Sequence, residues 1–190
     1  MRKQIAEMTD ERHLKILESS MELFLHYGFR RTTMGDIAGA VGISRPTLYA
    51  LYPNKEAVFS GVVESYMTQL NARLEKCFEP GESLSEKLHK ALEIAVVEPF
   101  LKFSGSTFKR ELLAIEDEAV QDQIERLARG FEMVYARCFQ GHQEKLLQLG
   151  STAEEMGRLF NSACLGIKER ATDVGELRKM LGVLVQALAD

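Results

Sequence analysis

No stretch of this chain approaches the ~18 consecutive apolar residues of a membrane span, so the sequence predicts no transmembrane segment. The opening, MRKQIAEMTDERHLK, is charged and lacks the apolar core of a signal peptide. A cytoplasmic location is the expectation. Cysteine is scarce. Cys77, Cys138 and Cys164 are odd in number, far apart and without zinc-type spacing, which favours reduced structural thiols. Proline is rare, four in 190 residues, as suits a globular, mostly helical protein. No Gly-rich phosphate loop, His-Glu-x-x-His motif or nucleophile elbow occurs. Glu86 and His89 form one Glu-x-x-His, a spacing used in di-iron bundles, but that site needs a second copy and further carboxylates. No second copy exists. These absences leave no positive case for an enzyme and imply neither cofactor nor metal.

What is present is helical periodicity. The length suits one or two domains with a real core, and no strand-like alternation interrupts the chain. Leu14, Leu17, Met21, Phe24 and Leu25 predict a first helix from about Asp10 to Tyr27, closed by Gly28. A long helix is expected after Asn54, with Val58, Val62, Tyr66 and Leu70 on one face, until Pro80-Gly81. Ser83 and Glu86 form a capping box for a helix running toward Phe103, with Pro99 expected to kink or shorten it. Further helices are expected over roughly Asp117–His142, Thr152–Arg170 and Asp173–Ala189. The fold class is all-α.

The richest stretch is Thr32 to Phe59, TTMGDIAGAVGISRPTLYALYPNKEAVF. Thr33 caps one short helix, with Asp36 placed to reach back to its amide. Ser44 caps a second, which has Pro46 in its first turn. Tyr52-Pro53 stops that helix, and Asn54 caps the next. Ala38, Gly42 and Leu48 stand at the spacing of a helix-turn-helix: a small residue at the crossing, a turn residue tolerating positive φ, and a buried leucine on the second helix. Such a hairpin serves duplex DNA. The net charge of −4 does not oppose this. Residues 1–60 hold eight Lys/Arg and seven Asp/Glu, so the acidic excess lies downstream, and phosphate contacts are local.

Residues 12–59 resemble the DNA-binding domain of the TetR family of bacterial transcriptional regulators. The resemblance rests on Tyr27-Gly28-Phe29 followed by Thr32-Thr33, on Asp36-Ile37-Ala38 through Gly42-Ile43-Ser44, on Pro46-Thr47-Leu48-Tyr49, and on Tyr52-Pro53-Asn54-Lys55-Glu56-Ala57-Val58-Phe59. Ala50 and Leu51 depart from it, standing where the family more often has larger polar or aromatic residues. The resemblance implies an N-terminal three-helix reading domain, residues 1–53, joined to a larger helical effector-binding and dimerisation domain, residues 54–190. It implies a homodimeric regulator, a repressor released from a palindromic operator in double-stranded DNA by a small-molecule effector.

The expected DNA contacts are Thr33, Ser44, Arg45, Pro46, Thr47, Tyr49, Tyr52 and Lys55. Arg45 opens the second helix and can grip guanine with two hydrogen bonds. Thr47 offers a methyl and a hydroxyl, and Tyr49 a groove or phosphate contact. Tyr52 suits packing or phosphate equally, and Lys55 sits at a helix start that attracts phosphate. Arg30 and Arg31 add positive charge. Candidate effector-pocket residues are Tyr66, Phe100, Phe103, Phe108 and Tyr135, each equally at home in an aromatic core. In the last two helices, Met156, Leu159, Phe160, Ala163 and Ile167 form one apolar stripe and Leu177, Leu181, Leu184 and Leu188 another. The resemblance implies that these stripes form a dimer seam. Two other readings stay open: a helical enzyme or small-molecule-binding protein whose helix-turn-helix is only structural, and a regulator that acts through DNA and a protein partner without sensing a ligand.

Overall fold

The computed structural model describes residues 2–107 and 118–189, and all regular structure among them is helical. Helix α1 spans Arg2–Tyr27, α2 Met34–Val41, α3 Arg45–Leu51 and α4 Lys55–Glu75. Then come α5, Leu84–Leu92, a widened turn at Glu93–Val97, and α6, Glu98–Phe103. Beyond the undescribed residues lie α7, Glu118–Phe139, α8, Gln143–Gln148, α9, Ala153–Arg170, and α10, Val174–Ala189. Helix α1 begins earlier than its apolar stripe suggests, because residues 2–27 contain neither Gly nor Pro. Helix α4 ends before Pro80, with Lys76 and Cys77 donating to carbonyls three residues back, the tightened geometry common at helix ends.

The chain divides into two compact units. One holds the described residues of Met1–Met67 and Gly105–Ile124, the other those of Thr68–Ser104 and Glu125–Asp190. The division falls beyond residue 53 because the first half of α4 belongs to the N-terminal core. Phe59 packs its ring on Phe24 and Phe29, with centroids 5.4 and 4.8 Å away. Val58, Val62 and Val63 are buried with it.

The second unit has its own core, built from Leu74, Leu88, Tyr135, Phe139, Phe160, Cys164, Leu177, Leu181 and Val185 among others. Helical structure continues past Pro99 to Phe103, so the proline does not end the helix that carries it. The chain instead widens over Glu93–Val97, where the Glu98 amide bonds the carbonyl five residues back, at Glu93. Proline has no amide to donate, and its ring would strike a carbonyl four residues earlier; the widened turn removes that conflict. An ion pair flanks each end: Glu93 with Arg178 at 2.5 Å, and Glu98 with Arg73 through paired bonds of 2.6 and 2.8 Å. Helices α7 and α9 approach closely at Gly157, where a Cβ would lie 2.5 Å from the Glu132 carbonyl oxygen. No helix among the described residues is long and apolar enough to cross a membrane.

Candidate nucleic-acid interface

Local chemistry fixes each end of the hairpin α2–turn–α3. The Thr33 hydroxyl accepts from the Asp36 amide at 3.2 Å, and the Asp36 carboxylate accepts from the Thr33 amide and hydroxyl at 2.8 and 2.7 Å. Those hydrogen bonds hold the Asp36 carboxyl below its ordinary value, with a smaller contribution from the Arg45 charge. Gly42 ends α2 at φ 77°, where a Cβ would be strained. Its amide and that of Ile43 both bond the Ala38 carbonyl at 3.0 Å, so the turn closes over a residue that is itself buried. The Ser44 hydroxyl then accepts from the Thr47 amide at 3.2 Å and starts α3.

Leu48 is fully buried and faces inward. On the opposite side Arg45, Pro46, Tyr49 and Ala50 are exposed, covering an arc of roughly 140° at 100° per residue. Tyr49 leaves 51% of its surface in solvent, far more than packing would allow an aromatic ring. Thr47 is half-buried, its hydroxyl 2.7 Å from that of Ser44. Arg30 and Arg31 are exposed nearby in sequence, just before α2. A short helix presenting a guanidinium and a phenol from one face, on a capped hairpin, matches what a major groove admits.

Two of the expected contacts have other employment. The Lys55 ammonium is not turned to solvent. It donates to the carbonyls of Phe29, Thr32 and Arg30 at 2.6, 2.9 and 3.4 Å, and lies 4.3 Å from the Phe29 ring centroid. An ammonium has three donors, and these carbonyls take them. Lys55 is thus a fastener between α4 and the turn after α1. Tyr52 resolves toward packing. Its hydroxyl meets His13 Nδ1 at 3.0 Å, and the rings stand edge to face at 5.6 Å. Burial, then the charge of Glu64, raises its ionisation above the usual phenol value. His13 escapes a sequence reading because its partner lies 39 residues away. So does Gly35. The Arg45 guanidinium lies against it, so that a Cβ there would stand 2.5 Å from Nη2 and 2.9 Å from Cζ.

In the second unit, helical stripes prove to be split between core and surface. Met156, Phe160, Leu177 and Leu181 are buried in the unit's own core and are not available to a seam. Ala163, Ile167, Leu184 and Leu188 are half-buried. Leu159 is exposed at 61%, and Leu165, Met180 and Val183 are also exposed. An i, i+4, i+7 stripe records that something apolar lies opposite; here that is mostly the chain itself. A groove of about 480 Å³ lies between α9 and α10, lined by Ala163, Gly166, Ile167, Arg170, Ala171, Glu176 and Met180.

Of the pocket candidates, Tyr135 is buried against Phe160, with ring centroids 4.9 Å apart. Its hydroxyl has no partner among the described residues, and burial pushes its ionisation well above the phenol range. Phe100 is half-buried against the same core, Phe103 and Tyr66 are half-buried, and Phe108 lies outside the described residues. Burial pushes the Cys138 and Cys164 thiols up to about 12, so they stay protonated. Among the described residues no group of three or more His, Cys, Asp or Glu could hold a metal ion.

Residues 16–62 match the family model described as bacterial regulatory proteins, tetR family. The uncharacterised HTH-type transcriptional regulator YhgD of Bacillus subtilis (strain 168) is 29% identical over 124 residues, 64% of each chain. The HTH-type transcriptional repressor ComR of Escherichia coli (strain K12) is 37% identical over 59 residues, 31% of this chain and 28% of its own. The chain thus aligns with less than two thirds of either relative. A TetR transcription regulator from Haloarcula marismortui ATCC 43049 superposes with a TM-score of 0.75, covering 95% of this chain and 97% of that one at 16% identity, and so shares the fold. Residues 16–62 of this chain are thus a domain of the tetR family of bacterial regulatory proteins.

Proposed function

We propose that this protein is a homodimeric, sequence-specific DNA-binding transcriptional regulator, a repressor that a small-molecule effector releases from a palindromic operator. The observation that carries the reading is the hairpin itself: Gly42 sets the turn, Leu48 is buried, and Arg45, Pro46 and Tyr49 are exposed together on α3. In this reading α1–α3 are the reading head, completed by the start of α4, and the remainder binds effector and dimerises. Each subunit inserts residues 44–49 into the major groove of one half-site. Arg45 and Tyr49 touch bases or phosphates, Thr33, Ser44, Pro46 and Thr47 line the approach, and Arg30 and Arg31 add attraction. Repression is supported by the similarity to ComR, named a transcriptional repressor. Dimerisation is supported by the apolar surface of Leu159, Leu165, Met180 and Val183. An effector that favours a head spacing misfitting the operator weakens DNA binding, and DNA weakens effector binding by the same factor. Such a regulator works where the operator is, in the cytoplasm.

Selection from a random duplex pool, followed by titration of winners and scrambled duplexes at about 0.15 M salt, tests this. A palindromic winner is expected, with Arg45→Ala weakening it by ~1–3 kcal/mol. Failure to enrich any sequence, before and after unfolding, dialysis and refolding, would reject the regulator reading in favour of a helical binding protein or enzyme with a structural hairpin.

A further inference from the structure

We propose that Gly35 is a specificity-determining position: the bare first turn of α2, with Asp36 beside it, seats the Arg45 guanidinium and so selects which base edge Arg45 reads. This rests on the DNA-reading function proposed above.

Arg45 is the first residue of α3 and is exposed, so its own helix gives its long side chain no wall to lean on. An arginine in that state samples many rotamers, and a reading contact must then select one of them. Here the wall comes from α2. The distances from an ideal Gly35 Cβ are 2.5 Å to Nη2, 2.9 Å to Cζ and 3.0 Å to Nε. Nη2, Cζ and Nε of the guanidinium therefore occupy the space that any side chain at position 35 would need. A planar, weakly hydrated cation suits such a flat backbone surface, where a lysine ammonium would not.

Charge supports the seat. The first turn of a helix is electropositive and by itself repels a cation. Asp36 offsets that, one residue on, and its carboxylate is fixed in place by two hydrogen bonds from Thr33. The capping box thus does more than start α2, because it also holds a negative charge at constant position within electrostatic reach of the arginine. The direction of Arg45 is set by a contact between two helices rather than by α3 alone. Operator preference then depends on a residue outside the recognition helix, one that need not touch DNA.

The test uses the full chain and its Gly35→Ala, Arg45→Ala and double variants. Residue 35 lies inside a helix, where alanine is the better helix former, so Gly35→Ala is expected to melt no lower than the parent. In free protein, NMR relaxation of the Arg45 Nε–Hε group should report order in the parent and its loss in Gly35→Ala. That reading needs no DNA, so it separates failure of the seat from failure of the DNA-binding function.

On selected duplexes, Gly35→Ala should lower discrimination at the same base pair that Arg45→Ala relaxes. The loss should be roughly two- to tenfold, the cost of driving a side chain off its preferred pose. In the Arg45→Ala background, Gly35→Ala should then have no further effect. An Arg45 side chain as mobile in the parent as in Gly35→Ala would overturn the seat. Unchanged or sharper discrimination in Gly35→Ala, additive effects in the double variant, or a parent that selects no sequence would overturn its role in specificity.

Discussion

The two units reach order by different means. In the N-terminal unit, short helices are fixed at nearly every end by a named local device: the Thr33–Asp36 box, Gly42, the Ser44 cap, Asn54 accepting from the Ala57 amide at 2.7 Å, and the Lys55 fastener. The caps pair polar groups within a few residues, while Lys55 and the His13–Tyr52 pair named above reach further, and the exposed face of α3 is left available. The second unit has the same caps at Ser83 and Thr152, but its character comes from a large apolar core assembled across distant helices. That core contains a tyrosine hydroxyl with no partner among the described residues. A reading head must hold a few side chains in known directions. In the proposed function the second unit senses and assembles, and for that it need only fold, its working surfaces being whatever the core leaves over.

The contrast can be broken most severely at Phe160. It is 1% exposed and stacks edge-on with both Tyr135 and Phe139. Phe160→Ala should destabilise the second unit by ~3–5 kcal/mol, read from urea unfolding at several protein concentrations. A loss that appears only as weaker self-association would return Phe160 to the seam. Leu159, one residue away and 61% exposed, should behave oppositely. Leu159→Asp is expected to raise the dimer dissociation constant at least about tenfold, with the helical content of the subunit unchanged; sedimentation velocity checks this. An association constant unmoved by that charge would remove α9 from the interface.

Smaller effects sharpen the comparison. Tyr135→Phe deletes a buried hydroxyl that has no partner among the described residues, so stability should stay level or rise by ~1 kcal/mol. A drop of that size would mean that the hydroxyl is paired after all, and the body as fully satisfied as the head. The mildest effect is common to both units. Hydrogen bonds from Thr33, Ser83, Thr152 and Thr172 hold the carboxyls of Asp36, Glu86, Glu155 and Glu176 below their ordinary values of 3.8 and 4.5. A carboxyl depressed in the folded state stabilises it above the unfolded value and loses that contribution as pH falls through the folded one. Stability should therefore decline below about pH 4.5, and Glu155→Gln should flatten part of that decline. An acid limb identical in parent and variant would show that the box at Thr152 does not contribute.

What a sequence reveals follows the same division. The caps at Thr33, Ser44, Asn54 and Ser83 were legible because donor and acceptor lie three residues apart, and Gly42 because only glycine readily holds that turn. Helix type was legible from periodicity. The direction of each stripe was not: the pattern that buries Leu177 and Leu181 in their own core is the one a dimer seam would show. Nor was the fate of Lys55, since its acceptors are carbonyls, which every residue carries. The His13–Tyr52 pair joins α1 to the end of α3 and the Gly35–Arg45 contact joins α2 to α3, and neither residue type announces its partner. The short helix α8 lay hidden between Gly141 and Gly150, too brief for a periodic signal.

The widened turn at Glu93–Val97 has one more consequence. A helix with such a turn carries one residue more than its length requires, as though the chain had been cut and a residue slipped in. Shortening this segment by one position would let it relax to ordinary winding with little net rotation, because a turn closed five residues back and one closed four residues back return the chain to nearly the same direction. Glu93 and Glu98 would then still face Arg178 and Arg73. The widened turn therefore works as slack in the chain, taking up a surplus residue so that both salt bridges keep their facing.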